Sequence, residues 1–273
     1  MSAIKKMSLN KELQKLVHDI GELGRYLWER GWAEKNAGNI SVEVTDLIEK
    51  RGQAFDDYPK VKREISEPLC GGRCFFVTAS GSRMREIMDR PEEKMIMLYI
   101  CDELDGYRVL WGGGAGARPT TEFASHLKLH SFLFENNPSQ KVIVHTHPSH
   151  LIALTHIELY CEEKAINRLL WSMHPELKMF LPEGVGLAPY RCPGTEELAE
   201  VTLAALQEHR IVLWEKHGCL ATGADVMEAF DLIDMINKAA QIFLLCRCAG
   251  YEVQGLTENQ IKELKDRFGD LTQ

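Results

Sequence analysis

Apolar residues recur along this chain at two spacings, one typical of helices and one typical of strands. Near the N-terminus they recur every three or four positions from Leu13 to Leu27, which predicts an amphipathic helix of about five turns ending near Gly31. Short runs that alternate, or that are apolar throughout, predict strands instead. These runs cover residues 40–44, 74–78, 95–101, 107–111, 142–144 and 211–214.

Further helices are predicted over residues 122–134, 162–174, 195–209 and 225–248, with a short one after Thr257. Pro175 and Glu176 are expected to end a helix, and residues 177–181 to be extended. The charged segment 46–72 is expected to be a surface excursion. Because strands and helices alternate without an internal repeat or a low-complexity linker, the chain is predicted to form one α/β domain over residues 1–273.

Composition narrows the possible partners. Apolar residues make up 45% of the chain and charged residues 26%, and the formal net charge is −8. An acidic chain without a basic stretch argues against nucleic acid or an anionic membrane as the main partner. No run approaches the roughly 18 apolar residues of a membrane span. The N-terminus lacks the apolar core of a signal peptide, and the eight cysteines form no regular framework. A cytoplasmic protein with reduced thiols is expected.

Two histidines follow the apolar run at 142–144. In a strand, alternate side chains leave the same face, so His145 and His147 are expected to point the same way and could hold one metal ion. The alternative is that one histidine is structural and the other is solvated. His217, which follows the apolar run at 211–214, could complete a site with one open position, as in catalytic zinc sites. Competing third ligands are His126, His150 and His156.

Small and hydroxyl-bearing residues at the ends of predicted strands suggest an anion pocket. Asn36-Ala-Gly38-Asn39 forms a tight turn before a strand, and Ser80-Gly81 follows another. The spacing of a Walker loop is absent. The alternative for the first motif is a simple helix-to-strand turn. Thr120 or Thr121 is expected to cap the helix that begins at Glu122, and that carboxylate could simply be one favoured by the helix dipole.

Five motifs stand in order along the chain: Asn36-x-Gly38-Asn39, Thr78-x-Ser80-Gly81, Pro119-Thr-Thr-Glu122, His145-x-His147 and His217-Gly218. Together they resemble the class II, zinc-dependent sugar-phosphate aldolases, and the resemblance covers nearly the whole chain. Within that family the likeness is closest to the rhamnulose-1-phosphate aldolase branch, through Leu151-Ile-Ala-Leu-Thr155 and Pro182-Glu-Gly-Val-Gly186. The resemblance implies a mainly antiparallel central sheet flanked by helices, and a homotetramer with active sites between subunits. It also implies cleavage of L-rhamnulose 1-phosphate to dihydroxyacetone phosphate and L-lactaldehyde.

The resemblance also assigns roles to individual residues. It implies one zinc ion per chain, held by His145, His147 and His217. It implies that Glu122 moves the proton at the dihydroxyacetone phosphate carbon, and that Glu176 acts as an acid in the site of an adjacent subunit. His174-Pro175 before Glu176 departs from the family pattern, and the position of Thr121 is usually serine. The implied phosphate pocket comprises Asn36, Gly38, Asn39, Ser80, Gly81, Thr120 and Thr121.

Two other functions remain open from the sequence. One is a sibling aldolase or an epimerase on the same scaffold, acting on fuculose 1-phosphate or ribulose 5-phosphate. The other is a catalytically silent, adducin-like interaction module. The joint presence of three histidines and Glu122 argues against a silent module, which has no need of an open metal site.

Overall fold

The computed structural model of the protein describes residues 6–50, 52–114 and 118–268. Its helices are α1 (Lys11–Glu29), α2 (Pro91–Lys94), α3 (Phe123–Asn136), α4 (Ser149–Leu154), α5 (Glu163–Met173), α6 (Pro175–Phe180), α7 (Glu196–Leu206), α8 (Val226–Cys248) and α9 (Glu258–Phe268). Its strands are β1 (Asn39–Glu43), β2 (Lys60–Lys62), β3 (Cys74–Thr78), β4 (Met95–Ile100), β5 (Gly106–Gly112), β6 (Val142–Thr146), β7 (Gly186–Ala188), β8 (Ile211–Trp214) and β9 (Gly218–Gly223). Within those ranges, none of the helices combines the length and apolar character that a membrane span needs.

The chain divides into two compact units. The first contains the described residues up to Thr146 together with Thr222–Met227, and the second contains His147–Ala221 and the described residues from Glu228 onward. In the first unit the strands lie in the order β2-β5-β4-β3-β1-β6, and each neighbouring pair is antiparallel. In the second unit the order is β9-β8-β7, with β9 antiparallel and β7 parallel to β8.

The first unit contains four strands that are buried throughout, β1, β3, β4 and β6, and its apolar cluster is built on β3 and β4. Their apolar side chains join Phe123 and Leu127 of α3 in one hydrophobic cluster. A strand that is covered on both faces has no polar face to alternate with, which explains the uniform apolar runs in the sequence. Strands β4 and β5 form an antiparallel hairpin around Asp105-Gly106.

Residues 46–72 pack against the edge of the sheet, whereas the sequence predicted a surface excursion. Strand β2 pairs with β5. Phe55 is fully buried, and its ring centroid lies 4.9 Å from that of Tyr99. The segment therefore contributes one edge strand and one buried aromatic side chain to the first unit.

Several local predictions are wrong. Residues 177–181 are not an extended segment, because α6 runs from Pro175 to Phe180. Proline fits the first turn of a helix, where its missing N–H is not needed, so Pro175 begins a helix here as well as ending one. Glu122 itself occupies the N-cap position of α3, where Thr120 or Thr121 was expected. Strands β7 and β9 were not predicted at all.

Candidate active site

Three histidines come together where the sequence predicted a metal site. His145 lies in β6, His147 follows the end of that strand, and His217 lies in the turn between β8 and β9. Their ligand nitrogens all lie within 4.8 Å of one another. Around a tetrahedral zinc ion with Zn–N distances near 2.0–2.1 Å, ligand nitrogens are roughly 3.3 Å apart. The three imidazoles therefore suit a divalent ion after small side-chain adjustments.

The alternative third ligands have other surroundings. His126 is buried and hydrogen-bonded to Asn39 and Ser41. The Nδ1 atom of His150 lies 3.3 Å from the side-chain nitrogen of Asn237. Among the described residues, the group of metal-binding side chains is the one formed by His145, His147 and His217.

The turn that carries His217 is fixed by hydrogen bonds to its backbone. Lys216 has a left-handed backbone with φ +61°, and its N–H donates to Thr155 Oγ1 at 2.8 Å. The N–H of Glu215 donates to the carbonyl of Ala188 at 3.0 Å. The Lys216 ammonium, hydrogen-bonded to the Glu215 carboxylate, is the main reason that the pKa of Glu215 falls to about 2. These contacts hold the turn in a conformation that side chains rarely favour.

The turn before β1 packs directly on the strand that carries His145. Asn39 stands opposite His145 in the β1–β6 pair, so their side chains leave the same face of the sheet. Gly38 has φ +78°, and a Cβ there would lie 2.8 Å from the carbonyl oxygen of His145. Both the left-handed backbone and this close approach require glycine.

The Glu122 side chain lies next to Asn39, the residue that pairs with His145. The side-chain amide of Asn39 donates to Glu122 Oε2 at 2.6 Å. The carboxylate does not cap α3. Because Asn39 shares a sheet face with His145, the hydrogen bond keeps the Glu122 carboxylate on the side of the sheet where the His145 ring lies. This geometry supports a role for Glu122 beyond a favourable charge at a helix start.

Two of the segments that carry predicted phosphate-pocket residues are hydrogen-bonded to Thr78 at the end of β3. The N–H of Thr120 donates to the Thr78 carbonyl at 2.9 Å, and the N–H of Ile40 to its hydroxyl at 3.2 Å. The N–H of Ser80 is bonded to the carbonyl of Arg118. Asn39 and Thr120 are buried, whereas the exposed members of the set are Asn36, Ser80, Gly81 and Thr121. Their roles remain predictions.

Glu176 is not among the side chains that form the histidine group. It is in the first turn of α6, and its side chain is 49% exposed. Its carboxylate lies 2.9 Å from Nδ1 of His174. The preceding His174-Pro175 thus supplies both the neighbour of Glu176 and the start of its helix.

Sequence reasoning missed the polar residues behind Asn39. Ser41 and His130 are fully buried and hydrogen-bonded to each other. The available signal was their spacing: Ser41 lies two positions after Asn39 in a strand, and His130 lies four positions after His126 in a helix.

Comparison with known proteins then identifies the family. Residues 18–244 match the family described as the Class II Aldolase and Adducin N-terminal domain. The chain belongs to this family. The predicted family and its fold class, a mainly antiparallel sheet flanked by helices, are thereby confirmed.

Two relatives are both named rhamnulose-1-phosphate aldolase. The protein from Bacteroides thetaiotaomicron is 38% identical over 257 residues, which cover 94% of this chain and 95% of the relative. The protein from Listeria monocytogenes is 32% identical, with 89% of each chain covered.

Solved structures agree on the fold. The crystal structure of a sugar-phosphate aldolase from Thermotoga maritima has a TM-score of 0.75 and 33% identity, and the match covers 89% of this chain and 100% of that one. The L-fuculose-1-phosphate aldolase from Thermus thermophilus has a TM-score of 0.56 at 21% identity, over 88% of this chain and 99% of that one, and shows the fold alone.

Proposed function

We propose that this chain is a lyase that reversibly cleaves L-rhamnulose 1-phosphate to dihydroxyacetone phosphate and L-lactaldehyde. The observation that carries the proposal is the group of three imidazoles next to the Asn39–Glu122 hydrogen bond. The relatives named rhamnulose-1-phosphate aldolase, at 38% and 32% identity over most of both chains, support this substrate over its siblings.

His145, His147 and His217 would hold one zinc ion per chain. When bound, such an ion acts as a Lewis acid that draws electrons toward a substrate carbonyl oxygen. Three protein ligands leave a coordination position open, which suits a catalytic ion more than a structural one. The choice of zinc over other divalent ions is part of the proposal, since imidazole ligands also accept cobalt, nickel and copper.

Glu122 is the proposed proton donor and acceptor for the carbon of dihydroxyacetone phosphate at which the C–C bond breaks. As the C–C bond breaks, the hydroxyl that becomes the lactaldehyde carbonyl gives its proton to the Glu176 carboxylate proposed to act in the same site. The electron pair of the broken bond remains with the dihydroxyacetone phosphate half, and Glu122 delivers a proton to that carbon; in the reverse direction both proton transfers are reversed. A general acid/base must lie within hydrogen-bond reach of the proton it moves. The amide of Asn39 restricts where the carboxylate can be.

Neutral groups would bind the substrate phosphate. Backbone N–H groups and hydroxyls can hold a dianion without a basic side chain. In an acidic chain with formal charge −8, such a local set provides the donors that the overall charge does not. The proposed set is Asn36, Gly38, Asn39, Ser80, Gly81, Thr120 and Thr121.

A cleavage assay on three substrates tests the function. The chain should have its highest kcat/KM on L-rhamnulose 1-phosphate, with L-fuculose 1-phosphate and L-ribulose 5-phosphate as competitors. Preference for fuculose 1-phosphate, or epimerisation of ribulose 5-phosphate, would establish a sibling enzyme instead. No reaction with any of them by the metal-loaded protein would favour the silent module.

The proposal includes a cytoplasmic homotetramer in which Glu176 works as an acid in the site of a neighbouring copy. Its exposed side chain, which is not part of the histidine group of its own chain, is consistent with that. If Glu122→Gln and Glu176→Gln are each inactive, co-expressed mixed tetramers should regain about a quarter of wild-type activity, because some sites then combine two intact residues. Glu122→Gln co-expressed with a tagged copy of itself is the control. No recovery in verified mixed tetramers would place both residues in one chain's site.

A further inference from the structure

A row of four buried polar side chains runs from the protein interior to Glu122. Asn39 and Ser41 leave the same face of β1, and His126 and His130 lie one turn apart on α3. Their exposed fractions are 6%, 0%, 2% and 0%, respectively. Buried polar groups are costly unless each finds a hydrogen-bond partner, so the partners of these four are informative.

Each member of the row is hydrogen-bonded to the next. The Ser41 hydroxyl lies 2.8 Å from His130 Nε2 and 2.6 Å from His126 Nδ1. His126 Nε2 is hydrogen-bonded to the amide oxygen of Asn39. The amide nitrogen of Asn39 then donates to Glu122 Oε2 at 2.6 Å. We call this row of four the relay.

The direction of every hydrogen bond in the relay follows from the bond that Asn39 makes to Glu122. Asn39 donates from its NH₂ group to the Glu122 carboxylate, so its side-chain oxygen is the atom that faces His126. That oxygen only accepts, so His126 carries its proton on Nε2. Burial lowers the pKa of His126 to about 4, so the ring is neutral and its Nδ1 accepts from the Ser41 hydroxyl.

The far end of the relay obeys the same logic. Ser41 has one proton, which it gives to His126, so it must accept from Nε2–H of His130. Burial also lowers the pKa of His130, which keeps that ring neutral. Among the described residues, its Nδ1 is buried and has no hydrogen-bond partner, so the relay ends there.

We propose that His126 and Ser41 are positioning residues that lock the side-chain amide of Asn39 with its NH₂ group toward Glu122, and thereby hold the proton-transferring carboxylate in place. The proposal rests on the proposed function of Glu122. It also means that only one N–H of the Asn39 side chain remains for a phosphate oxygen. Without a donor at position 126, the amide could rotate, and Glu122 would lose its fixed partner.

Two substitutions at His126 separate positioning from simple core packing. His126→Leu fills the space without a donor, whereas the amide of His126→Gln can still donate to Asn39. With metal content unchanged, His126→Leu should lower kcat and solvent deuterium uptake into dihydroxyacetone phosphate by about 10- to 100-fold, the scale of a catalytic group displaced by about 1 Å. His126→Gln should restore most of that loss. Equal loss in both variants, or wild-type uptake in His126→Leu, would overturn the proposal.

Ser41→Ala provides a second variant if His126→Leu does not fold. It should lower deuterium uptake several-fold, and its matched control is Ser131→Ala, a buried serine next to His130 on α3 that is outside the relay. Unchanged uptake in Ser41→Ala, or equal loss in Ser131→Ala, would contradict the assignment.

A spectroscopic measurement tests the relay independently of activity. The ¹⁵N chemical shifts of both rings in histidine-labelled protein should show neutral imidazoles with the proton on Nε2 at pH 7. A proton on Nδ1 of His126 would reverse the relay and overturn the proposal. If the wild-type protein cleaves none of the three substrates, the proposed function fails, whereas the ¹⁵N pattern still decides whether the relay exists.

Discussion

The single side chain on which the proposed chemistry depends most is Glu122, and its surroundings show what it does not do. It occupies the N-cap position of α3, yet its carboxylate makes no capping hydrogen bond to the helix. Its partner is instead Asn39, which stands opposite a proposed metal ligand, His145. A carboxylate placed only to stabilise a helix would contribute through the helix dipole, an effect of about 1 kcal/mol or less at the surface.

We therefore predict that Glu122→Gln separates activity from structure. Glutamine is nearly isosteric and can still accept from Asn39, so metal content and stability should remain near wild type. Cleavage and solvent deuterium uptake into dihydroxyacetone phosphate should both fall by roughly 10²–10⁴, the usual contribution of a positioned general acid/base. Mass spectrometry of dihydroxyacetone phosphate after incubation in D₂O measures the uptake. Equal uptake by wild type and variant would rule out proton transfer by Glu122.

How much of the site could be predicted also differs from residue to residue. His145 and His147 follow an apolar run at a spacing of two, so their shared face could be expected from the strand alone. His217 was one of four candidates for the third ligand, beside His126, His150 and His156, and only the family resemblance selected it. Ser41 and His130 could not be found in this way. Each is unremarkable within its own element, and only the packing of α3 against β1 turns them into a relay.

At the scale of elements, the ends of strands place the functional groups. Gly38 precedes β1, Ser80-Gly81 follows β3, and His147 follows β6. Uniformly apolar strands such as β3 and β8 were predictable because only burial explains such runs. Strand β9, Gly218–Gly223, was missed because its small residues and terminal glycines lack the β-branched pattern of a strand. Pairing with β8 forms it despite that weak propensity.

Two glycines allow backbone strain to be separated from close packing. Gly31 and Gly38 both have a left-handed backbone, with φ +72° and +78°. A Cβ at Gly31 would meet nothing within 4 Å, whereas one at Gly38 would press on the His145 carbonyl. Gly31→Ala should therefore cost about 1–2 kcal/mol in the free energy of unfolding. Gly38→Ala should cost more and also weaken metal binding.

Urea unfolding and metal titration of both alanine variants measure these effects. Equal destabilisation by the two substitutions would mean that the turn before β1 relaxes without disturbing β6. Unchanged metal affinity in Gly38→Ala would show that the position of His145 does not depend on that turn.

At the scale of the whole molecule, buried neutral histidines make stability depend on pH. The pKa of His126 is about 4 in the folded chain, against an ordinary value of 6.5, because burial disfavours its charged form. Between these values the unfolded chain binds a proton that the folded chain does not, so stability falls as the pH falls from 6.5 to 4. The shift corresponds to a loss of about 3 kcal/mol across that window. His130 acts in the same direction.

Urea unfolding of chelator-treated protein at pH 7, 5.5 and 4.5 should reveal this loss, with the three metal-site histidines free of metal in every sample. His126→Gln, which cannot titrate, should have a shallower dependence on pH than wild type. If the free energy of unfolding depended on pH equally in the two proteins, His126 would bind a proton equally well in the folded and unfolded states, and its pKa would not be lowered by burial.

The hydrophobic core of the first unit does not depend on the proposed metal site. The cluster around β3, β4 and α3 consists of apolar side chains and contains none of the three metal-site histidines. Structural zinc sites have four protein ligands and hold together chains that are too small for such a core, whereas three ligands with an open position are typical of catalytic sites. The metal is therefore expected to serve the reaction rather than the fold.

This leads to the prediction that chelation abolishes activity and leaves the fold intact. Elemental analysis of active protein should give one divalent ion per chain, and added zinc should restore activity to the chelated protein. The circular dichroism spectrum should be the same before and after chelation, with at most a modest fall in melting temperature from lost ligand binding. His147→Ala should give folded protein with weakened metal binding and low activity. Unfolding on chelation would make the ion structural, and full activity without metal would remove the three histidines from the mechanism.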